Sequence, residues 1–301
     1  MSLSARLKRM LLSTGHYGRR LRGLAFPGVA VLCYHGIPED GRQPTLPFEE
    51  LHVPAAELAA HCRLVRETCH PISLAQWRAA LAGGPPLPER PVLFTFDDGY
   101  RSYLRAADIL ERHQVPSVLF ACPDPIEREV ALWFDAVARD RGEAEVERLK
   151  AAPHAEWRAA AARSERRLAD GAPEAVLRLA ELRELTSRPG IEIAAHTVSH
   201  PILARAGRAD QLAEIEGSRR QLQEWLGLPI RAFAYPNGRP ELDYTAETVE
   251  LVREAGYDFA FTTRNGFAGP HEPPLERSRF LMMAGITSAE LAHRLCYSWH
   301  P

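Results

Sequence analysis

The stretch PVLFTFDDGY, residues 91–100, is an apolar run that ends in two adjacent carboxylates and a glycine. Its first six residues carry β-branched and aromatic side chains without polar alternation, which predicts a strand covered on both faces, as in a parallel sheet. Asp97 and Asp98 then lie at the C-terminal tip of this strand. For these residues alone, a turn or a helix cap is the more ordinary explanation, because Asp-Gly is common in turns and Asp caps helices.

Short apolar runs of the same kind recur along the chain and alternate with helical patterns. Strands are predicted at residues 28–34, 91–96, 116–121, 191–195, 230–234, 259–262 and 280–283. Helices are predicted at residues 55–67, after Ser73, and at residues 100–112, 210–226 and 245–255. This alternation indicates a parallel sheet with right-handed crossovers. About seven strands favour a closed or nearly closed α/β barrel over an open doubly wound sheet.

Two regions interrupt this alternation. Residues 126–188 are rich in Ala, Glu, Arg and Leu at helical spacing, which predicts two or three helices forming an insertion or lid on the barrel. Residues 1–27 form a basic N-terminal segment ahead of a barrel predicted for residues 28–301. The segment resembles an ordinary capping helix, although a basic amphipathic helix resting on a membrane surface is an alternative.

Composition excludes several classes of protein. The 301 residues are 46% hydrophobic and 25% charged, as expected for a globular protein, and the formal net charge of -2 gives no indication of nucleic-acid binding. Five scattered cysteines without a C-x-x-C pair argue against a disulfide framework and favour a reducing compartment. With no signal-peptide core evident, we expect a cytoplasmic protein, with association at the membrane face left open.

A second motif, HTVSHP at residues 196–201, follows the predicted strand 191–195. Two histidines four residues apart can bind one metal ion, although such pairs also arise by chance among 12 histidines. In parallel α/β folds the C-terminal ends of the strands converge on one face. One carboxylate and two imidazoles would leave an open position for water, as in catalytic zinc sites, and the second Asp would be free to act as a base.

A third motif, FAYPNG at residues 233–238, follows the strand predicted at 230–234. The backbone N–H of Tyr235 is free in principle to point into the site and to stabilise an oxyanion. A simple turn after a strand is the more ordinary interpretation of these six residues.

Taken in this order, TFDDGY (95–100), HTVSHP and FAYPNG resemble the NodB-homology polysaccharide deacetylases, carbohydrate esterase family 4. The resemblance spans about residues 29–295, and the Phe-Ala-Tyr-Pro form resembles the exopolysaccharide-associated branch. It implies a distorted (β/α) barrel of the seven-stranded type that removes N-acetyl groups from amino sugars with a divalent metal, commonly Zn²⁺. The roles implied are general base for Asp97, metal ligands for Asp98, His196 and His200, oxyanion donor for the Tyr235 backbone, and substrate binding for Tyr100, Pro236 and Asn237.

The chain departs from the family pattern at two points. Many members have an arginine at the position of Ala234 that tethers the base, and a late Leu-x-His motif whose histidine is the general acid; neither is evident here. Arg279 is predicted to replace the tether. His35 is predicted to be the acid, with His271 as second choice, although His35 could simply pack at the mouth of the site.

The leading hypothesis is a metal-dependent hydrolase that removes N-acetyl groups from N-acetylhexosamine units of a bacterial glycan or of its lipid-linked precursor. The alternatives are a deformylase or another C–N hydrolase of the same fold, and a glycan-binding member with weak catalysis.

Overall fold

The computed structural model describes residues 4–40, 47–167, 172 and 174–298. Within them a single sheet contains eight strands, all in parallel pairs. The strands are β1 (Ala30–Tyr34), β2 (His70–Pro71), β3 (Pro91–Phe96), β4 (Ser117–Ala121), β5 (Ile191–Ala195), β6 (Ala232–Ala234), β7 (Phe259–Phe261) and β8 (Phe280–Leu281). All seven predicted strands are present, and β2, with two residues, is too short to show a hydrophobic period.

The strand order is β7-β6-β5-β4-β3-β1-β8, with β2 paired to the start of β3. A parallel bridge connects Phe261 of β7 with Arg277, three residues before β8, so the two ends of this order approach each other and the sheet curls almost to closure. This is the distorted (β/α) barrel that the sequence predicted. The C-terminal ends of the strands, and the residues that follow them, therefore meet on one face of the barrel.

Helices surround the sheet. They are α1 (Ala5–Ser13), α2 (His16–Arg22), α3 (Ala55–Thr68), α4 (Leu74–Leu81), α5 (Tyr103–Arg112), α6 (Pro123–Arg128), α7 (Trp133–Arg141), α8 (Glu143–Lys150), α9 (His154–Ser164), α10 (Leu179–Leu185), α11 (Arg208–Leu226), α12 (Ala246–Glu254) and α13 (Ser288–Tyr297). Ser73 caps α4 through a capping box, as predicted.

Strand β3 shows why the fold places an acid at its tip. All six of its residues are buried, as predicted for a strand covered on both faces. Phe94 and Phe96 pack in the core between sheet and helices, whereas Leu93 packs in a separate core inside the barrel. Because side chains alternate along a strand, Thr95 and Asp97 continue on the same side as Leu93.

Two helix predictions were wrong. Helix α5 begins at Tyr103 rather than at residue 100, because Asp98 and Gly99 adopt positive φ angles of 77° and 79° and form a turn. Between β4 and β5 the described residues form five helices, α6 to α10, instead of two or three. Gly142, at φ 86°, separates α7 from α8. The Ala- and Glu-rich composition of this region did not indicate that break.

The N-terminal segment packs on the barrel. Lys8 of α1 forms an ion pair of 2.6 Å with Glu290 of α13, and the Tyr17 hydroxyl lies 3.0 Å from Nδ1 of His293. Tyr17 and Leu21 belong to the main core. The contacts are those of a capping segment, and membrane contact stays a prediction. Among the described residues, none of the helices combines the length and the apolarity that a membrane crossing requires.

Candidate active site

The three predicted metal ligands meet where β3 and β5 end. Asp98 follows β3, and His196 directly follows β5. Asp98 Oδ1 lies 3.4 Å from Nε2 of His196 and 3.3 Å from Nε2 of His200. All three side chains are buried. Asp98 and His196, 98 residues apart in the sequence, are therefore brought together at one point.

The donor atoms fit a divalent metal ion. The carbonyl of Ala234 lies 2.7 Å from Nδ1 of His196 and can only accept, so the neutral ring carries its proton there and its Nε2 lone pair faces Asp98. Asp98 Oδ1 is buried and makes no hydrogen bond within the described part of the chain. Ligands bound at zinc distances in a tetrahedron lie roughly 3.3 Å apart, which is the spacing found between Oδ1 and the two nitrogens.

The backbone around these candidate ligands is strained. Asp98, Thr197, His200 and Asn237 have φ angles of 77°, 63°, 60° and 54°, in the left-handed region that favours glycine. Each such conformation costs on the order of 1–3 kcal/mol, and such residues concentrate at functional sites. The strain accompanies the turns that direct Asp98 and His200 toward each other.

Charges within the triad shift its titration. Burial alone would raise the pKa of Asp98, but contacts with His196 and His200 outweigh it and hold that pKa well below its usual range. Burial disfavours the charged form of His196, yet the carboxylates of Asp98 and Asp97 raise its pKa. Burial dominates at His200 and lowers its pKa. Asp98 is therefore ionised at neutral pH, the state that a carboxylate needs in order to bind a metal.

The neighbouring carboxylate has different surroundings. Asp97 forms two parallel hydrogen bonds with Arg279, each of 2.7 Å, and both side chains are buried. The Arg279 Nε–H donates to the carbonyl of Thr262 at 2.9 Å, and the Cys33 thiol donates to Asp97 at 3.4 Å. Burial alone would raise the pKa of Asp97, but the Arg279 guanidinium outweighs it and lowers that pKa. Arg279 thus makes the contact with Asp97 that was predicted for it.

A cavity of about 310 Å³ opens above these groups. Six of the predicted residues line it: His35, Asp97, Asp98, His196, His200 and Asn237. Nδ1 of His35 and Nδ2 of Asn237 are buried and have no hydrogen-bond partner among the described residues. His271, the second choice for the acid, is exposed and lies outside the cavity walls.

At the third motif the structure shows neither the free amide nor the cavity-lining proline that were expected, and the roles assigned to them stay predictions. The Tyr235 N–H donates to the carbonyl of Phe261 at 3.1 Å, because the ladder between β6 and β7 continues past the end of β6, so this amide is not free for an oxyanion. The Tyr235 ring is buried and stacks on Tyr244 at 4.0 Å. Pro236 is buried and does not line the cavity.

Tyr100 does not line the cavity either, contrary to the prediction. It is 2% exposed, and its hydroxyl donates to Asp135 of α7 at 2.7 Å. Burial raises the pKa of Asp135 well above its usual value. The sequence resemblance could not show this contact, because it depends on how the insertion packs. Tyr100 instead ties the insertion to the turn that carries Asp98.

Much of the cavity wall was missed by the sequence analysis. These residues are Phe48, Glu50, Leu51, Phe134, Glu147, Lys150, Arg239, Thr263 and Leu281. The Phe134 ring lies 4.9 Å from that of His200, and Trp133 Nε1–H donates to the His200 carbonyl at 2.8 Å. The insertion is therefore part of the wall. Glu147 and Lys150, an ordinary i,i+3 pair of 2.6 Å, gave no signal in the sequence.

Comparison with known families and proteins agrees with this geometry. The family model for polysaccharide deacetylases matches residues 84–260, more than half of the chain. The chain is 25% identical over 270 residues to the poly-beta-1,6-N-acetyl-D-glucosamine N-deacetylase of Escherichia coli strain K12. That match covers 80% of this chain and 34% of the relative. The chain thus spans about a third of the length of the curated relatives it matches.

Solved structures show the same fold. A Streptococcus pyogenes deacetylase in complex with acetate superposes with a TM-score of 0.66 at 20% identity, covering 89% of this chain and 98% of the other. IcaB from Ammonifex degensii superposes with a TM-score of 0.64 at 22% identity, covering 89% and 97%. At these identities the likeness concerns the fold.

Proposed function

Because the chain belongs to the polysaccharide deacetylase family, we propose that it is a metal-dependent carbohydrate N-deacetylase. Its substrate would be an N-acetylhexosamine unit of a bacterial exopolysaccharide or of its lipid-linked precursor. The observation that carries the proposal is the buried Asp98–His196–His200 triad, which lies beside an ionised Asp97 in one cavity. The names of the Escherichia coli relatives make a polymer of β-1,6-linked N-acetylglucosamine the first substrate to test.

Asp98, His196 and His200 would hold the metal. One carboxylate oxygen and two imidazole nitrogens suit Zn²⁺, which we propose as the resident ion. When bound, the ion would lower the pKa of water and polarise the acyl oxygen. The Ala234 carbonyl would fix the ring orientation of His196, and Trp133 would hold the backbone of His200 through its carbonyl.

The remaining residues would handle protons and position the amide. Asp97 would take the proton of the water that attacks the acetyl carbon, and the Arg279 fork would keep the carboxylate oriented and ionised. The C–N bond then breaks, and His35, as general acid, would give a proton to the departing amine. Asn237 Nδ2, buried and without an acceptor in the described residues, would donate a hydrogen bond to the acyl group.

Acetate release is the direct test. The protein would be stripped of metal, reloaded with Zn²⁺, and incubated with β-1,6- and β-1,4-linked N-acetylglucosamine oligomers and with lipid-linked N-acetyl sugars. We expect acetate from at least one substrate with the reloaded protein and none with the stripped one. An N-formyl sugar is included as a competing substrate. Bound zinc with no acetate from the whole panel contradicts the proposal, and formate release would assign the protein to the deformylase alternative.

A further inference from the structure

A second cavity lies behind the loop that carries the histidines. It has a volume of about 460 Å³ and is formed by α6, α9 and the start of α11; we call it the insertion cleft. Val198 and Ser199, between the two candidate ligands, line the cleft. Trp133 lines the cleft as well, whereas its neighbour Phe134 lines the active-site cavity. The two cavities therefore share one loop and one pair of adjacent aromatic residues.

Aromatic rings form part of the wall of the insertion cleft. Trp133 and Trp157 are perpendicular, with ring centroids 5.5 Å apart, and the His154 ring lies 5.0 Å from that of Trp157 at 30°. Trp157 is only 6% exposed, yet its indole N–H has no hydrogen-bond acceptor in the described ranges. A buried donor without a partner costs about 1–3 kcal/mol. A ligand that accepts a hydrogen bond from this N–H would therefore bind favourably.

The insertion cleft also has a surplus of negative charge. Four carboxylates line it, against the guanidinium groups of Arg128 and Arg158. Arg128 already forms ion pairs with Asp124 and Glu165. The other two carboxylates, Asp210 and Glu214, pair with no lysine or arginine in the described part of the chain. Glu214 accepts hydrogen bonds from the N–H and hydroxyl of Ser199, at 2.9 and 2.6 Å.

We infer that the insertion cleft binds a hexosamine unit that carries a free, protonated amine. The Trp157 N–H can donate to a sugar hydroxyl, and the carboxylates of Asp210 and Glu214, which pair with no lysine or arginine in the described residues, can receive an ammonium group. The volume is sufficient for such a unit. The inference rests on the proposed function, because a free-amine hexosamine is the product of N-deacetylation. A polymer already deacetylated at one unit would be retained beside the active site.

Binding of a glucosamine oligomer to the full chain tests the inference. Its dissociation constant would be measured by calorimetry and compared with that of the N-acetylated oligomer of equal length. We expect the glucosamine oligomer to bind at least about 10-fold more tightly, as loss of a charge-assisted hydrogen bond predicts. Asp210→Asn should weaken its binding about 10-fold. Glu216→Gln, an exposed residue of the same helix outside the cleft, is the matched control and should change nothing.

A second variant, at a residue other than a carboxylate, tests whether the glucosamine oligomer binds in the insertion cleft. Trp157→Phe removes the indole N–H but keeps a ring, and should weaken glucosamine binding several-fold. Equal binding of both oligomers by the wild-type protein, or unchanged binding by both variants, overturns the inference. The calorimetry is done with metal-stripped protein, which is expected to release no acetate from the N-acetylated oligomer, so its outcome is independent of hydrolysis. Normal acetate release with unchanged binding by both variants would contradict the cleft alone, whereas cleft binding without acetate release would support the cleft and contradict only the proposed activity.

Discussion

The two ends of the barrel contain cavities of similar size but different character. At the C-terminal ends of the strands the active-site cavity measures about 310 Å³, and at the N-terminal ends a groove lined by Phe26, Trp77 and Arg277 measures about 370 Å³. Four residues that line the first have buried polar atoms without partners in the described residues; in the groove only Arg277 does. Unsatisfied groups, rather than space, distinguish a site from a gap in packing.

The distribution of strained backbone follows the same contrast. The active-site cavity is lined by four non-glycine residues with positive φ, and the opposite groove by one, Arg90, among the residues described. The four are Phe48, Asp98, His200 and Asn237. Strain persists where the surrounding structure enforces it, and here it concentrates around the residues that we propose to bind the metal.

The largest expected effect comes from separating the two adjacent acids. Asp98→Asn should abolish both bound metal and activity, because one of three ligands loses its charge. Asp97→Asn should keep the metal but reduce activity by about 10²–10⁴-fold, the usual contribution of a general base. Metal content by atomic absorption and acetate release would be measured on the same samples.

Arg277→Lys, at the opposite end of the barrel, is the control for the acid variants and should leave both metal content and activity unchanged. Equal metal loss in Asp97→Asn and Asp98→Asn would show that the two acids do not have the separate roles assigned to them.

A second prediction concerns the two buried arginines at opposite ends. Arg279→Lys cannot reproduce the double contact with Asp97 and should lower the free energy of unfolding by about 3–5 kcal/mol. Arg277→Lys should cost only about 1–2 kcal/mol, because Arg277 donates to the Gly269 carbonyl and lies over the Trp77 ring without a close carboxylate. Urea unfolding monitored by circular dichroism measures the free energy of unfolding of both variants. Equal losses of stability would contradict the difference expected between the two arginines.

A smaller effect is expected from a buried histidine that has partners on both nitrogens. His61 contacts the Tyr34 hydroxyl at 3.0 Å and the Ile286 carbonyl at 2.8 Å, and burial lowers its pKa to about 4. Between pH 6.5 and 4 the unfolded chain binds a proton at this position that the folded chain does not. As the pH decreases through this range, His61 should therefore lower the free energy of unfolding by about 1.4 kcal/mol per pH unit.

His61→Gln should remove this contribution to the pH dependence between pH 6.5 and 5, measured as the free energy of unfolding in urea. His271→Gln, at an exposed position, is the control and should keep the wild-type slope. If the slope of His61→Gln also matches the wild type, the buried neutral state assigned to His61 is incorrect.

The sequence predicted what depends on local pattern. The apolar runs at β3 and β5 fix the strands, and polar residues directly after them had to converge on one face of the barrel. The proximity of Asp98 and His196 followed from that topology. The contact of Arg279 with Asp97 was also anticipated, from the missing arginine at Ala234, although the catalytic role of this contact stays a prediction.

What the sequence did not predict depends on contacts between distant segments. The Tyr235 amide was expected to be free, but it donates to the Phe261 carbonyl, because the hydrogen-bond ladder between β6 and β7 continues to this residue. No residue near Tyr235 indicates in the sequence how far that ladder extends. Tyr100 was assigned to the substrate groove, yet Asp135 in the insertion binds its hydroxyl. The wall formed by Phe134 and Lys150 comes from the same insertion, whose packing has no periodic signature in the sequence.

The pairing of Asp97 with Arg279 has a consequence for the order of assembly. The two residues are 182 positions apart, and the second immediately precedes β8, the last strand of the sheet. During synthesis from the N-terminus, Asp97 lacks its counter-charge until residue 279 has emerged, and β1 lacks its neighbour β8. Contacts this distant in sequence form slowly. A nascent chain therefore acquires the oriented carboxylate that we propose as its base only when the barrel closes, so the proposed site is complete only when the fold is.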